Sequence, residues 1–263
     1  MRIALTHSTT ACMLLEIGSI RLLTDPVFDQ GERNYRLGPG AYATRHVGPA
    51  IDPAGLGDLD AVLLSHAHHL DNLDESGQKF VARAPLVITG RVESDRAGPA
   101  ARRLSVWETT TIVGRDGFRI EVTATPAVHG PWWFPGARHV VGFVLEWPGQ
   151  QKGALYLSGD TVYFRGMRRI AKRFRIGTAI LHLGAVHFWP PWPSFLRFTM
   201  TGRQAARCAG LLGAQTVIPI HYERSVWSHF RESRESYQEA FRSAGLGSRV
   251  VWLPPGDRTV LDL

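Results

Sequence analysis

Short apolar runs separated by turn residues dominate the start of the chain. Residues 2–6, 11–17 and 20–24 are largely apolar, and Gly18-Ser19 separates the last two runs. Apolar runs bounded by turn residues predict strands, and a two-residue turn that contains Gly predicts a hairpin. The chain is therefore expected to begin with β-structure.

Residues 25–59 are rich in Gly, Pro and Asp and show no clear hydrophobic period. Unstructured connections of this length are uncommon and usually functional. We therefore predict a long loop that lies over the surface near a functional site.

The rest of the chain mixes strand-like and helix-like patterns. Strands are predicted at residues 61–64, 86–89, 104–107, 110–113, 118–125, 140–147, 154–157, 179–183, 216–220, 250–253 and 259–261. Helices are predicted at residues 73–81, 167–174, 201–212 and 231–244. Asp71 or Asn72 would cap the first helix and Thr201 the third. This order predicts an α/β fold with two mixed sheets packed together and covered by helices, a four-layer αββα sandwich.

Composition favours one domain over residues 1–263, because 263 residues with 44% hydrophobic content can bury a large core. Cys12 and Cys208 are far apart in apolar runs, which predicts two buried thiols and not a disulfide framework. No targeting segment or membrane span is apparent, so we expect a cytoplasmic protein.

The net charge of the chain limits the possible binding partners only weakly. Thirty Lys and Arg against 23 Asp and Glu leave a net charge of +7, which suits an anionic substrate, a nucleic acid or an acidic membrane surface. An oligomer is also compatible with the sequence.

The greatest concentration of candidate metal ligands follows the predicted strand at residues 61–64. The string SHAHHLDNLD places His66, His68, His69 and Asp71 within six positions. Neutral imidazole is a good zinc ligand, and a catalytic zinc needs about three protein ligands and an open position. His66 and His68 would supply two of them.

Three more candidate ligands each follow a predicted strand: His129 in TPAVHG, Asp160 in LYLSGD and His221 in VIPIHY. Loops at strand ends commonly build sites, so their matching placement favours a shared metal centre. The other histidines are expected to be ordinary hydrogen-bonded or surface residues: His7, His46, His139, His182 and His229.

The strings LLTDPVF, SHAH, TPAVHG, LSGDT, LHLGA, MTGRQAA and PIHYE, in this order, resemble the metallo-β-lactamase superfamily. The resemblance spans most of the chain. It looks closest to the branch that includes ascorbate-6-phosphate lactonase and N-acylphosphatidylethanolamine phospholipase D.

The resemblance implies a fold of the four-layer type and a metal-dependent hydrolase. It implies one set of ligands for each of two ions and one bridging carboxylate. These are His66, His68 and His129 for the first ion, Asp71 and His221 for the second, and Asp160 as the bridge. Asp25 would support the site from behind.

The signature differs from the family pattern at two positions. His69 is an additional residue, and Asn72 stands where the family has a ligand histidine. Either His69 replaces the missing ligand, or Asn72 leaves the second metal position weak, because a carboxamide is a poorer zinc ligand than imidazole.

The chemistry expected from such a site is hydrolysis of an ester, lactone or phosphodiester by a zinc-activated hydroxide. One or two zinc ions are expected, with manganese or iron as alternatives. Asp71 would orient the nucleophile and take up its proton, and Tyr222 or His187 would polarise the substrate or protonate the leaving group. The expected partner is a small or lipid-like substrate, either neutral or anionic.

Two surface features refine this expectation. The aromatic residues of segments 131–134 and 188–196 would either wall an apolar pocket or pack on each other, within the chain or across a subunit interface. Arg165, Arg168 and Lys172 belong to a basic helix face that is either solvated or in peripheral contact with a membrane.

Two other functions compete with a hydrolase of small molecules. A nucleic-acid-processing protein of the same fold fits the charge, although no additional nucleic-acid-binding domain is evident, so no nucleic acid partner is expected. A metal-binding relic with weak or no turnover fits the altered signature.

Overall fold

A seven-stranded mixed sheet forms one half of the described molecule. The computed structural model describes residues 1–38, 40–91, 95–131, 133–134, 136–188, 193 and 196–263. Across this sheet the strands are β15 (Arg258–Asp262), β1 (Arg2–Thr9), β2 (Cys12–Ile17), β3 (Ile20–Thr24), β6 (Ala61–Leu64), β7 (Val87–Gly90) and β8 (Ala101–Leu104). The predicted N-terminal hairpin is confirmed, since β2 and β3 pair antiparallel on either side of Gly18-Ser19.

A six-stranded mixed sheet forms the other half of the described residues. Its strands, in order, are β14 (Thr216–Ile220), β13 (Ile176–His182), β12 (Ala154–Leu157), β11 (Val141–Glu146), β10 (Arg119–Pro126) and β9 (Thr109–Val113). β12, β13 and β14 are parallel, while β9, β10 and β11 are antiparallel.

The central core lies between the sheets and follows from side-chain alternation. In β6, Ala61 and Leu63 face the central core, while Val62 and Leu64 face the outer side. All four are fully buried, so this strand is apolar on both faces, as expected for a covered sheet. Burial of each large aliphatic side chain contributes about 1.5–3 kcal/mol.

Helices cover the outer faces. α1 (Glu75–Val81) packs on the first sheet, and α2 (Met167–Arg173), α3 (Gly202–Leu212) and α4 (Arg234–Ser243) pack on the second. The predicted four-layer αββα arrangement is confirmed. None of the helices in the described part of the chain has the length and apolar character needed to span a bilayer.

The caps explain where two of these helices begin. Thr201 caps α3 in a reciprocal capping box with Gln204, as predicted. The predicted cap of α1 was wrong: Asp74, not Asp71 or Asn72, accepts the Gly77 amide at 2.7 Å. The chain therefore stays irregular through residue 73, which leaves the Asp71 side chain available for other contacts.

The predicted loop at residues 25–59 contains a hairpin, so that prediction was wrong in part. Strands β4 (Arg33–Gly38) and β5 (Ala41–Arg45) pair antiparallel, and they bury an apolar face that includes Tyr35 and Leu37 against Trp227. The alternation is short and interrupted by glycines, which concealed it in the sequence.

A buried ion pair anchors this hairpin. Arg45 Nη1 lies 3.1 Å from Asp74 Oδ2, and both side chains are fully buried. The guanidinium also lies over the rings of Tyr35 and Trp227. The hairpin is thereby held beside the segment that contains the candidate ligands.

Two other strand predictions were wrong. Residues 105–107 lie outside strands, because β8 ends at Leu104 and leads into a turn. Residues 250–253 form one isolated bridge, Val250 to Val217, and no strand. Both segments pair too briefly with a neighbouring strand to form a ladder.

The strand directions bring candidate ligands to one edge. β3 and β6 run parallel, so Asp25 and His66 follow them at the same end of the first sheet. In the second sheet, β12 and β14 run in one direction and precede Asp160 and His221. Ligand sites in such sheets form beyond the carboxyl ends of the strands.

Candidate metal centre

Two groups of metal-binding side chains meet beyond these strand ends. The first donor group consists of His66, His68, His69 and His129, and the second donor group consists of Asp71, Asp160 and His221. Within each group, the candidate ligand atoms lie within 4.8 Å of one another.

Asp160 connects the two donor groups. Its Oδ2 lies 3.5 Å from His221 Nε2 and 3.9 Å from His129 Nε2. His221 Nε2 is also 3.7 Å from Asp71 Oδ2. The carboxylate predicted as a bridge therefore stands between the groups.

Hydrogen bonds to one ring nitrogen orient several of the histidines. His129 Nδ1 lies 2.7 Å from the Phe198 carbonyl oxygen, and His221 Nδ1 lies 3.4 Å from that of Leu183. A carbonyl accepts only from a protonated nitrogen, so Nδ1 of both rings carries a proton and Nε2 is the atom that faces the centre. This is how metal-ligating histidines are usually held.

The centre contains buried polar atoms that lack hydrogen-bond partners. Among the described residues, this holds for both carboxylate oxygens of Asp160, for Asp71 Oδ1, and for Nε2 of His66 and His221. A buried polar atom without a partner costs about 1–3 kcal/mol, so a cluster of them requires an explanation. All are candidate metal-ligand atoms, and divalent cations bound at the two donor groups would satisfy them.

The electrostatics of the first donor group favour neutral imidazoles. Burial and the neighbouring histidines hold the pKa values of His66 and His129 well below the usual range. Burial and His68 lower the pKa of His69 to about 3. These rings are therefore neutral at pH 7, which is the form that binds a metal.

The second donor group is charged instead. Burial raises the pKa of Asp160 to about 6. Burial opposes ionisation of Asp71 too, but hydrogen bonds from His221 and His229 hold its pKa well below normal. Although burial disfavours its charge, His221 has its pKa raised to about 9 by Asp160 and Asp71.

Two site residues occupy the left-handed backbone region. His221 has a φ of 60° and Asp25 a φ of 34°, a backbone conformation that residues other than Gly rarely adopt. Such strain concentrates at functional sites. Asp25 Oδ1 accepts the Ser65 amide at 2.7 Å, so the turn after β3 holds the start of the His66 loop, the supporting position that the resemblance implied.

An apolar cavity of about 380 Å³ opens onto both donor groups. Its described lining combines candidate ligands with apolar side chains: Leu37, Gly38, Ala41, His68, His69, Asp71, His129, Phe134, Asp160, Val186, Phe188 and Phe198. The ring of Phe198 contacts those of Phe134 and Phe188 at centroid distances of 5.2 and 5.9 Å. These rings therefore both line the cavity and pack on each other. The remaining aromatic residues of the two segments that lie outside the described residues are Trp132, Trp189, Trp192 and Phe195.

Two predicted catalytic residues lie away from the donor groups. Tyr222 is buried in the outer core beneath α4, with its ring against Tyr237 and Trp252, and its role in polarising the substrate stays a prediction. The chain turns sharply at His221, and the next side chain points to the opposite side of the sheet. His187 is half-buried, and its carbonyl accepts from Arg231. Among the described residues, none of the contacts of His187 joins it to the donor groups.

Two histidines that we expected to be ordinary lie in or beside the centre. His229 Nε2 is 3.0 Å from Asp71 Oδ2, and His182 Nε2 is 3.8 Å from Asp25 Oδ2. Nothing in the local sequence distinguishes His229, which occurs in an irregular segment eight positions after His221. By contrast, His7 hydrogen-bonds to backbone carbonyls and His46 is exposed, as expected.

Comparison with known proteins identifies the family. A beta-lactamase superfamily domain profile matches residues 20–222, which is most of the chain. The chain belongs to the metallo-β-lactamase superfamily. A metal-dependent hydrolase of the UPF0173 group from Pyrobaculum calidifontis is 30% identical over 251 residues, with 94% of this chain and 95% of the relative covered.

Solved structures of this superfamily show the same fold. An isothiocyanate hydrolase from Delia radicum gut bacteria covers 100% of both chains with a TM-score of 0.77 and 21% identity. A possible metal-dependent hydrolase from Veillonella parvula covers 99% of both chains with a TM-score of 0.78 and 19% identity. Together with the donor groups, the relatives make this superfamily member a metal-dependent hydrolase.

Proposed function

We propose that the protein is a zinc-dependent hydrolase of a neutral ester or lactone that carries an apolar group. One observation carries the proposal: two adjoining donor groups lie at the base of a cavity with aromatic walls. The polar end of the cavity suits hydrolysis, and the apolar end suits binding of an acyl or aromatic group.

The ligand set favours zinc. Imidazole nitrogen is a preferred zinc ligand, and the first donor group offers four imidazoles. The carboxylates of the second donor group would also suit manganese or iron, which are the alternatives there. Two ions are proposed, one for each donor group.

The cavity lining favours a neutral substrate over a phosphodiester. No Lys or Arg is among the described lining residues, whereas Asp71 and Asp160 contribute carboxylates. An anionic group in such a cavity would depend on the metal ions alone for compensating charge. The positive net charge of the chain lies elsewhere, including the exposed face of α2 with Arg168 and Lys172. Peripheral membrane contact through that face stays a prediction.

Bound metal ions would polarise the scissile carbonyl and make water reactive near neutral pH. Asp71 is ionised, since its pKa is held well below normal, so it can accept a hydrogen bond from the attacking water and orient it. Phe134, Phe188 and Phe198 would position the apolar group and exclude bulk water.

Isothiocyanates are a second candidate substrate class. The solved isothiocyanate hydrolase has the same fold over the whole chain, although its 21% identity transfers no activity. An isothiocyanate presents an electrophilic carbon on an apolar group, which is the combination that this cavity accommodates. Addition of water and loss of carbonyl sulfide would leave a primary amine.

The test is turnover by purified protein before and after metal removal. We expect a chelator to abolish hydrolysis and zinc to restore it, and aryl or acyl esters and lactones to react faster than phosphodiesters. Phe198→Ala should raise KM for the aryl ester more than it lowers kcat, because it removes part of the cavity wall. Full turnover by metal-free protein would reject the proposal, and a preference for isothiocyanates would favour the second candidate.

A further inference from the structure

The second donor group has two carboxylates and one imidazole, and the chain has no histidine at position 72 to add another. The structure shows which nearby side chains are placed to complete it. Three are close enough to consider: Asn72, His69 and His229. The contacts of these three side chains show which of them is placed to complete the second donor group.

Asn72 lies behind the centre. Its Nδ2 is 3.3 Å from Ser65 Oγ and 3.4 Å from His66 Nδ1. The amide therefore contacts the back of the His66 ring, on the side away from the Nε2 that points at the centre. Asn72 therefore helps to orient His66. Its Oδ1 has no hydrogen-bond partner among the described residues, but a carboxamide oxygen is a poorer zinc ligand than imidazole.

His69 belongs to the first donor group. Its Nδ1 is 2.9 Å from His129 Nε2, and its ring centroid is 4.8 Å from that of His129. The additional residue in the signature thus extends the all-imidazole group. It does not replace the missing histidine of the second group.

His229 contacts the second donor group directly. Its Nε2 lies 3.0 Å from Asp71 Oδ2, and His221 Nε2 lies 3.7 Å from the same oxygen. Two ligands of a tetrahedral zinc, each about 2.0–2.1 Å from the ion, are about 3.4 Å apart. The two imidazole nitrogens therefore lie at distances of 3.0 and 3.7 Å from the same carboxylate oxygen, on either side of this spacing.

The surroundings of His229 hold its ring in this position. The ring is buried, stacks on Phe188 with an interplanar angle of 11°, and contacts Trp227 edge-on. Its Nδ1 has no hydrogen-bond partner within the described part of the chain, so Asp71 provides its polar contact there. Meanwhile Asp71 Oδ1 and His221 Nε2 also lack hydrogen-bond partners among those residues, which a simple Asp–His pair would not explain.

We infer that His229 is a ligand of the second metal ion and replaces the histidine that Asn72 has displaced. This inference rests on the proposed two-metal function. With Asp71, Asp160 and His221 it would give the second ion a full set of protein ligands. The second site would then be a strong site despite the altered signature.

The experiment compares His229→Gln and His229→Ala with the wild type by stepwise zinc titration in equilibrium dialysis with elemental analysis. Gln can still donate a hydrogen bond to Asp71 but is a poor zinc ligand. We expect both variants to bind the first ion as the wild type does and to bind the second at least 100-fold more weakly. Cobalt titration should show the same loss in the visible absorption of the second equivalent.

His46→Gln is the matched control, because His46 also contacts a carboxylate, Glu32 at 3.2 Å, but far from the donor groups. It should bind two ions like the wild type. If His229→Gln also kept wild-type affinity for the second ion, His229 would only position Asp71 and the inference would be overturned. If the wild type bound no divalent ion, the proposed function itself would be rejected.

Discussion

The two donor groups lie side by side but differ in chemistry. The first is made of imidazoles alone, whereas the second combines two carboxylates with His221. Burial keeps His66, His69 and His129 of the first group neutral, with the pKa of His69 lowered to about 3. In the second group the carboxylates raise the pKa of His221 to about 9.

This difference indicates how each group would receive a metal ion. In the first group, the neutral rings of His66, His69 and His129 each have a nitrogen lone pair that can bind a metal ion at neutral pH. In the second group a proton on His221 compensates the carboxylates and must leave when an ion binds. The first position is therefore expected to bind without proton release, and the second in competition with protons.

The largest effect is expected from loss of a ligand in the first donor group. His129→Ala removes an imidazole oriented by the Phe198 carbonyl, so hydrolysis should fall roughly 10³-fold or more and the first ion should be lost. The measurements are kcat/KM and metal content. His139→Ala is the control, because that exposed ring lies 6.2 Å from His68 and outside both groups. Undiminished turnover by His129→Ala would remove the first group from the mechanism.

An intermediate effect is expected from pH. Because the pKa of His221 is raised to about 9, it carries a proton at pH 8 and below, and each unit of acidification should weaken the second ion about tenfold. Between pH 8 and pH 6 this amounts to roughly 100-fold. The affinity for the first ion should change less than about threefold, since His66, His69 and His129 are already neutral. Zinc titration at pH 6, 7 and 8 measures the affinity for each ion. An equal pH dependence of the two affinities would contradict the proposed difference between the donor groups.

The smallest effect is expected from His69→Ala. Three imidazoles suffice for a catalytic zinc, so the variant should still bind two ions, with the first weakened about tenfold. Stepwise zinc titration distinguishes this outcome from the other possibility, in which His69 replaces the missing histidine of the second donor group. Loss of the second ion in this variant would assign His69 to the second donor group.

Much of the fold was predictable because it depends on local patterns. The apolar runs of β2 and β6 and the Thr201 cap act over a few residues, and the structure has the predicted elements there. The hairpin β4–β5 was missed, since its strands are short and are stabilised by distant partners such as Trp227. The cap of α1 was misassigned because Asp71, Asn72 and Asp74 are close in sequence and all three have side chains that can cap a helix.

The candidate site was predictable to the extent that its residues follow strands. His66, His129, Asp160 and His221 each come after an apolar strand, and the structure brings all four together. Tyr222 also follows a strand, but the direction of its side chain depends on the turn at His221. Strand ends therefore indicate proximity, while backbone conformation decides orientation.

By itself, the sequence determined the layered α/β architecture, the superfamily and the residues that meet at one edge, because periodicity and strand ends are encoded locally. The tertiary structure decided how those residues divide into an imidazole group and a carboxylate group. It also decided that Asn72 supports His66, that Phe198 walls the cavity and that His229 reaches Asp71. These contacts join segments up to 158 residues apart, and only packing of the two sheets brings such segments within reach of one another.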